Sequence, residues 1–183
     1  MVLKRVVQLV AVVASLFFVT TAEAQKGSAR QASVHQGWWF SGGLGMGSLG
    51  SDNGTSRETG LTGDIAVGYT LSPKWLIGVG SSGWSKSEDG GRLTVATLDA
   101  RVRFYPSTTG GFFLTGGIGG ASMTASVGGI SATENGGGAI FGLGYDYRIA
   151  RNASITPYWN GFAIKTDNND ANVGQLGLAI TLH

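Results

Sequence analysis

Charged side chains recur at alternate positions in this 183-residue sequence, as Asp99 and Arg101 and again as Asp146 and Arg148. Residues two apart on a β-strand point to the same side, so each Asp-x-Arg pattern would bring a carboxylate beside a guanidinium group. Away from water such groups must pair with one another, which predicts an ion-pair network instead of acid–base catalysis. The predicted charge cluster comprises Asp64, Asp99, Arg101, Arg103, Asp146 and Arg148.

The sequence offers little for other kinds of chemistry. Its two histidines, His35 and His183, lie before and at the end of the patterned part of the chain, so neither is expected to act as the base of a Ser-His-acid triad. The Asp and Asn residues at 52–53 and 167–170 could bind calcium, but they are also typical of turns. We therefore predict that the protein is not an enzyme and has no catalytic, cofactor-binding or metal site.

Composition excludes several further classes of protein. The formal net charge is only +2, which gives no basic field for nucleic acid. There is no cysteine, so neither a disulfide scaffold nor thiolate chemistry is available. The 32 glycines follow no collagen-like period and interrupt any long helical segment.

Eight segments alternate between apolar residues and small or polar residues. Alternation with period two is the signature of a β-strand that presents two different faces. The patterned segments are 38–46, 61–71, 75–82, 97–105, 112–119, 141–149, 155–160 and 175–182.

Three architectures fit such alternation: a soluble antiparallel sandwich, a lipocalin-like barrel with the apolar face inside, and a transmembrane barrel with that face outside. A sandwich usually carries Lys and Glu on its polar face, whereas here that face is mostly Gly, Ser, Thr and Ala. The apolar rows contain no charged residue, and a Lys or Arg facing lipid at mid-bilayer would cost about 2–4 kcal/mol. These features favour lipid on the outside.

The connections between segments alternate in length. Short ones are expected at 72–73, 106–110 and 150–151, and long ones at 49–57, 86–91, 122–136 and 165–172. Transmembrane barrels have short periplasmic turns and longer extracellular loops. The sequence therefore predicts an all-β protein with an eight-stranded antiparallel up-and-down transmembrane β-barrel, and an even strand number places both termini in the periplasm.

Aromatic residues gather near the short connections. Rings of this kind settle at the level of the lipid headgroups. The predicted periplasmic aromatic girdle comprises Trp38, Phe40, Tyr69, Trp75, Phe104, Phe112, Tyr145 and Tyr147.

The N-terminal segment has the features of an export signal. Lys4 and Arg5 precede an apolar run, and Ala22 and Ala24 form a small-x-small cleavage site. The predicted organisation is a signal peptide at 1–24, a periplasmic tail at 25–36 and an outer-membrane barrel at 37–183.

The segments LTGDIAVGY (61–69) and AIFGLGYDYR (139–148), together with Phe104-Tyr105-Pro106 and the last strand, resemble the small eight-stranded outer-membrane barrels of Gram-negative bacteria, the OmpA/OmpX-like family. The resemblance implies outer-membrane lipids, lipopolysaccharide and the barrel-insertion machinery as partners of a monomer. Two features differ from the family pattern. The chain ends in His183 where such barrels usually end in an aromatic residue, and Pro157 within the seventh strand predicts a β-bulge.

The expected role is structural or interactive, with a polar interior that plugs the barrel and extracellular loops that meet an unknown ligand. The loop 122–136 is expected to be the longest, which makes it the best candidate for contact. Its content of Gly, Ser, Ala and Thr predicts that it is mobile. The alternative is a narrow passive channel for small solutes, because inward-facing glycines could leave space for water. A lipid A-modifying enzyme is a third and weaker reading.

Overall fold

A computed structural model describes residues 35–51, 56–88, 90–166 and 170–183. The predicted signal peptide (1–24) and most of the predicted tail (25–36) lie outside the described residues. Within these ranges, no helix is long and apolar enough to cross a membrane. The strands are β1 (Trp38–Ser51), β2 (Glu58–Ser72), β3 (Trp75–Glu88), β4 (Gly91–Phe104), β5 (Phe112–Val127), β6 (Ile130–Tyr145), β7 (Tyr147–Arg148), β8 (Ala153–Thr166) and β9 (Asp170–Leu182).

The strands form one closed antiparallel sheet in which neighbours in sequence pair with each other. The first and last strands close the barrel, with Phe40 opposite Leu182 and Ser48 opposite Gly174. β7 continues β6 along the same neighbour, β8, so the two pieces together make one barrel strand and the barrel has eight. The predicted eight-stranded antiparallel up-and-down barrel is confirmed.

Large apolar side chains cover the outside of this barrel. Leu44 is 78% exposed and Leu98 is 67% exposed, whereas Leu76, on the opposite face of the sheet, is fully buried. Among the described residues, the exposed charged side chains lie in turns or within two residues of a strand end, at Arg57, Lys74, Glu88, Arg92, Arg148, Arg151, Lys165 and Asp170. A soluble sandwich or a lipocalin-like barrel would bury the apolar rows, so the outward arrangement is the one that suits lipid.

The two ends of the barrel differ from each other. Short connections at 73–74, 105–111 and 149–152 lie at one end, which we call the turn end. At the opposite end, which we call the hairpin end, two of the predicted long loops are absent. β3 and β4 pair as far as Glu88 and Gly91, and β5 and β6 pair as far as Val127 and Ile130.

The prediction of a mobile loop at 122–136 is therefore wrong. A two-residue turn, Gly128–Gly129, joins β5 to β6, with φ of 58° and 87°. Positive φ at both central residues is the requirement of the tight hairpin turn that matches strand twist, and glycine meets it without steric cost. The hydroxyl-rich sequence looked like a loop, but Thr124 and Thr133 instead pair across the ladder, with 3.0 Å between their hydroxyl oxygens.

The predicted β-bulge at Pro157 is also wrong. On one side Pro157 pairs with Leu178 in an unbroken ladder. On the other side the ladder runs to Gly144 opposite Tyr158 and resumes in the same register at Tyr147 opposite Ile155. Because proline has no amide hydrogen, the ladder has a gap opposite it, and this gap separates β6 from β7.

Candidate functional site

The barrel interior contains three layers of buried side chains. An ionic cluster (Asp64, Ser82, Asp99 and Arg101) occupies the middle of the lumen, an aromatic layer lies towards the turn end, and an upper apolar cluster lies towards the hairpin end. Each layer is built from residues at alternate positions of neighbouring strands, because only every second side chain of a barrel strand points inward.

Arg101 holds the ionic cluster together. Its Nε and Nη2 donate to the two carboxylate oxygens of Asp99 at 2.8 and 2.9 Å, and its Nη1 donates to Asp64 Oδ2 at 2.8 Å. Ser82 donates its hydroxyl to Asp64 Oδ2 at 2.5 Å. All four side chains are buried, so the guanidinium group neutralises part of a charge that water cannot reach.

Glycines in the wall make room for these large inward side chains. The Arg101 guanidinium lies across Gly80, where a Cβ would come within 2.3 Å of Cζ, and the Tyr158 ring lies across Gly177 at 2.4 Å from the same position. At Gly119 a Cβ would lie 1.9 Å from the Leu98 carbonyl oxygen, because the neighbouring backbone itself comes close. These inward glycines thus accommodate side chains and close strands instead of lining open space.

Arg103 lies apart from the ionic cluster, in the aromatic layer. Its guanidinium carbon lies 4.5 Å from the centre of the Trp39 ring and 4.8 Å from that of Phe113, which are distances typical of cation–π contacts. The layer is completed by Ala66, Leu76 and Tyr105, all of them buried. Arg103 Nε and Nη1 have no hydrogen-bond partner among the described residues, and the guanidinium group packs against the two rings. It also interacts electrostatically with Tyr105 and Asp146 towards the turn end.

Asp146 lies at the turn end of the lumen, away from the other acids. It accepts hydrogen bonds from the Tyr105 hydroxyl at 2.8 Å and the Thr156 hydroxyl at 2.6 Å. His35 packs against Tyr105, with 4.0 Å between the ring centres, and burial lowers the pKa of His35 to about 4. Burial also raises the pKa of Tyr105, so its hydroxyl remains a hydrogen-bond donor at neutral pH.

Arg148 lies on the predicted side of its strand, but at the mouth of the lumen and not within the ionic cluster. Arg148 ends β7, opposite Ser154, and its side chain is exposed. Its cross-strand partner Ser154 is buried on the lumen face, so the alternation assigns the correct side of the strand, but the strand ends at Arg148 and the side chain reaches solvent. Of the six predicted charged residues, the structure brings together Asp64, Asp99 and Arg101. Arg103 and Asp146 lie nearer the turn end, where both interact with Tyr105, and Arg148 is exposed at the mouth.

The upper apolar cluster was missed by the sequence analysis. Trp84 lies at its centre, 2% exposed, and donates its indole N–H to the Gly47 carbonyl at 3.0 Å. The other buried members are Leu49, Val95, Ala121, Ile140, Phe162, Ile164, Ala171 and Val173. The sequence feature that could have revealed this cluster is the alternation of the strand. Phe162 and Ile164 continue the series of inward-facing alternate residues that begins with Tyr158 and Asn160.

Above the upper apolar cluster a vestibule opens at the hairpin end. This cavity of about 320 Å³ has Trp84, Leu93, Ala125 and Val127 among its walls. Lys86 at its rim forms ion pairs with both Glu58 and Glu88. Deeper in the lumen, a cavity of about 10 Å³ lies beside Asp64, Arg101 and Tyr158, with space for about one water molecule.

The predicted girdle residues lie on the outside of the barrel at the turn end. Seven of the eight are exposed and Phe104 is half-buried. Several pack as ring pairs, with 5.8 Å between the centres of Trp38 and Tyr69 and 4.5 Å between those of Trp75 and Phe104. The rings form a band around one end of the apolar belt, which is the arrangement of an interfacial girdle.

A closed antiparallel barrel that exposes its apolar side chains and turns its polar ones inward defines an integral membrane β-barrel. The chain belongs to the outer membrane protein beta-barrel domain family, whose profile matches residues 10–183. It is therefore an outer-membrane protein. No curated protein shows significant sequence similarity to it.

Two solved structures illustrate the fold. Neisserial surface protein A superimposes with a TM-score of 0.63 at 14% identity, over 86% of this chain and 99% of that one. Ail, the attachment invasion locus protein of Yersinia pestis, superimposes with a TM-score of 0.56 at 17% identity, over 80% of this chain and 99% of that one. At these identities the likeness is one of fold.

Proposed function

We propose that this outer-membrane barrel is closed to solutes and acts as a structural or surface-interaction protein without enzymatic activity. The observation that carries the proposal is the stacking of the aromatic layer, the ionic cluster and the upper apolar cluster across the lumen. Passage of an ion requires a continuous path of water, and the cavity beside Asp64 and Arg101 measures only about 10 Å³. A narrow channel would require the three layers to rearrange.

Strand length helps to decide which end of the barrel faces the outside of the cell. β5 and β6 contain 16 residues each, and a tilted strand needs only about 9–11 to cross the bilayer. Beyond Ile118 the outward row of β5 changes to Gly120, Ser122, Thr124 and Ser126, so the excess length lies above the apolar belt. We place this hairpin end outside the cell, which puts the girdle and the end of β9 on the periplasmic side.

The outer hairpin, residues 121–136, is the proposed contact element. Hydroxyl pairs along its outward face include Ser126 and Ser131, with 2.8 Å between the two oxygens. At its tip Val127 is 66% exposed and Ile130 is 79% exposed. A paired ribbon with an apolar tip presents a fixed surface, and the names of the two structural neighbours, a surface protein and an attachment invasion locus protein, agree with a role at the cell surface.

The remaining partners are proposed on the same basis. The apolar belt would contact membrane lipids, with lipopolysaccharide in the outer leaflet, and folding would require the barrel-insertion machinery. The barrel needs no second copy to close its sheet, which favours a monomer. No nucleic-acid partner is proposed.

Replacing Val127 and Ile130 together by serine is expected to reduce, several-fold, the attachment of cells that produce the protein to polystyrene. The reason is that the double substitution removes the exposed apolar tip while the glycine turn and the ladder below it remain. Attachment is compared at equal amounts of heat-modifiable, surface-exposed protein. The matched control, Val127→Ile with Ile130→Val, keeps the apolar area and should attach like the wild type. Equal attachment by all three proteins would contradict a contact role for the tip.

A further inference from the structure

Three side chains that bear metal-binding atoms meet at the turn end of the lumen. His35 precedes β1, Asp146 lies between β6 and β7, and His183 follows β9, yet one ligand atom from each lies within 4.8 Å of the others. His35 is 1% exposed and Asp146 is 7% exposed. Closure of the barrel therefore brings both histidines of the chain to the same carboxylate.

Against the sequence-based expectation of no metal site, we propose that His35, Asp146 and His183 bind a divalent first-row transition metal of the zinc type. Two imidazole nitrogens and one carboxylate oxygen form a donor set common in zinc sites, and a water molecule can supply the fourth ligand. Calcium and magnesium prefer sets made entirely of oxygen, so the same residues should discriminate against them.

The His183 ring provides an independent reason to place a ligand here. Its side chain is 7% exposed, and neither ring nitrogen has a hydrogen-bond partner among the described residues. Buried polar atoms are nearly always satisfied, whereas here Nε2 has only its ion-pair contact with Asp146 and Nδ1 makes no hydrogen bond to a described residue, so the ring has the capacity to bind a ligand. His183 Nε2 lies 3.4 Å from Asp146 Oδ2. Two ligands on a tetrahedral zinc, each about 2.0–2.2 Å from it, lie about 3.4 Å apart.

Hydrogen bonds around the site orient its ligands. His35 Nδ1 lies 3.3 Å from the Pro73 carbonyl oxygen. A carbonyl only accepts, so Nδ1 carries the proton and the lone pair lies on Nε2, which is the nitrogen that would bind the metal. Tyr105 and Thr156 donate to the two oxygens of Asp146 and fix its carboxylate plane. Such outer contacts commonly raise metal affinity 10–100-fold.

A metal at this position would act as a clamp on the closed barrel. It would connect the segment before β1 to the end of β9, and these are the two strands whose pairing closes the sheet. A ligand that binds only the folded state stabilises it in proportion to the logarithm of its concentration over its Kd. Folded and unfolded barrels migrate as separate bands in gels of unboiled samples. We therefore expect zinc to raise the temperature at which heating converts the folded band to the unfolded one.

The test is a calorimetric titration of zinc chloride into the untagged, detergent-folded full chain, with cobalt absorption as a second readout. We expect one equivalent of zinc to bind, at least tenfold weaker binding in His35→Ala and in His183→Ala, and about 10–100-fold weaker binding in Tyr105→Phe. Asp170→Asn, which changes an exposed carboxylate at the opposite end, is the matched control and should bind like the wild type.

Several results would overturn the proposal. These are no zinc binding by the folded wild type, equal binding by wild type and His35→Ala, and equal binding of zinc and magnesium. Should His183→Ala fail to fold, His35→Ala decides, because His35 lies outside the strands. An unchanged conversion temperature of the wild type with saturating zinc would refute the clamp.

Discussion

Arg101→Ala is expected to lower the free energy of unfolding of the barrel by about 3–5 kcal/mol, the usual cost of leaving a buried ionic partner unpaired. Arg101 donates to both Asp64 and Asp99, and all three side chains are buried. Its removal leaves two carboxylates in the middle of the lumen without their counter-charge. Urea unfolding of detergent-folded protein, followed by tryptophan fluorescence and by heat-modifiable gel migration, measures the change.

Two further variants separate the loss of pairing from the loss of an arginine. Arg92→Ala, an exposed arginine of the same strand, should change stability by no more than about 0.5 kcal/mol. The combination Asp64→Leu, Asp99→Leu and Arg101→Met removes all three charges and should recover most of the stability, because buried ion pairs are often replaceable by apolar groups of similar volume. Wild-type stability in Arg101→Ala would disprove the central role of this residue.

Trp84→Ala is expected to cost about 3–5 kcal/mol through the cavity that it leaves in the upper apolar cluster. The indole is 2% exposed, bonds to the Gly47 carbonyl and lies across Gly60, where a Cβ would come within 2.7 Å of its ring. The surrounding wall is held by strand pairing, so it has little freedom to collapse into the space. The same unfolding assay measures the loss.

Trp84→Phe is the control for this substitution. It keeps most of the apolar volume and removes the N–H donor, so we expect a loss of only about 0.5–1.5 kcal/mol. A loss in Trp84→Ala as small as that in Trp84→Phe would mean that the volume of the side chain contributes little, and that the upper apolar cluster does not stabilise the barrel as described.

The architecture could be predicted because a strand with lipid on one side and the lumen on the other alternates apolar residues with small or polar ones. Ile65, Val67 and Tyr69 alternate with Asp64, Ala66 and Gly68, and strand parity alone assigns the first set to lipid and the second to the lumen. The same parity predicted that Asp64, Asp99 and Arg101 share one interior. Parity gives only the side of the strand, so it could not show that Arg103 would pack against the Trp39 and Phe113 rings and stay outside the ionic cluster.

The ends of the strands were harder to predict because composition there is ambiguous. Ser, Thr and Gly at 122–136 are equally suited to a loop and to an exposed ribbon, and the decision rests on the Gly128–Gly129 turn. Arg148 shows that alternation gives the side of a strand but not the depth, since this residue keeps the lumen side and yet lies exposed at the strand end. His35, Asp146 and His183 lie far apart in sequence and meet only because β1 pairs with β9, which no local pattern contains.

The most direct test of the closed interior is the conductance of the folded protein in a planar lipid bilayer, with heat-modifiable gel migration as proof of folding. The three layers predict no discrete current steps from folded wild-type protein. Discrete steps that change in Arg101→Ala would contradict the account and would identify the ionic cluster as the constriction of a narrow channel.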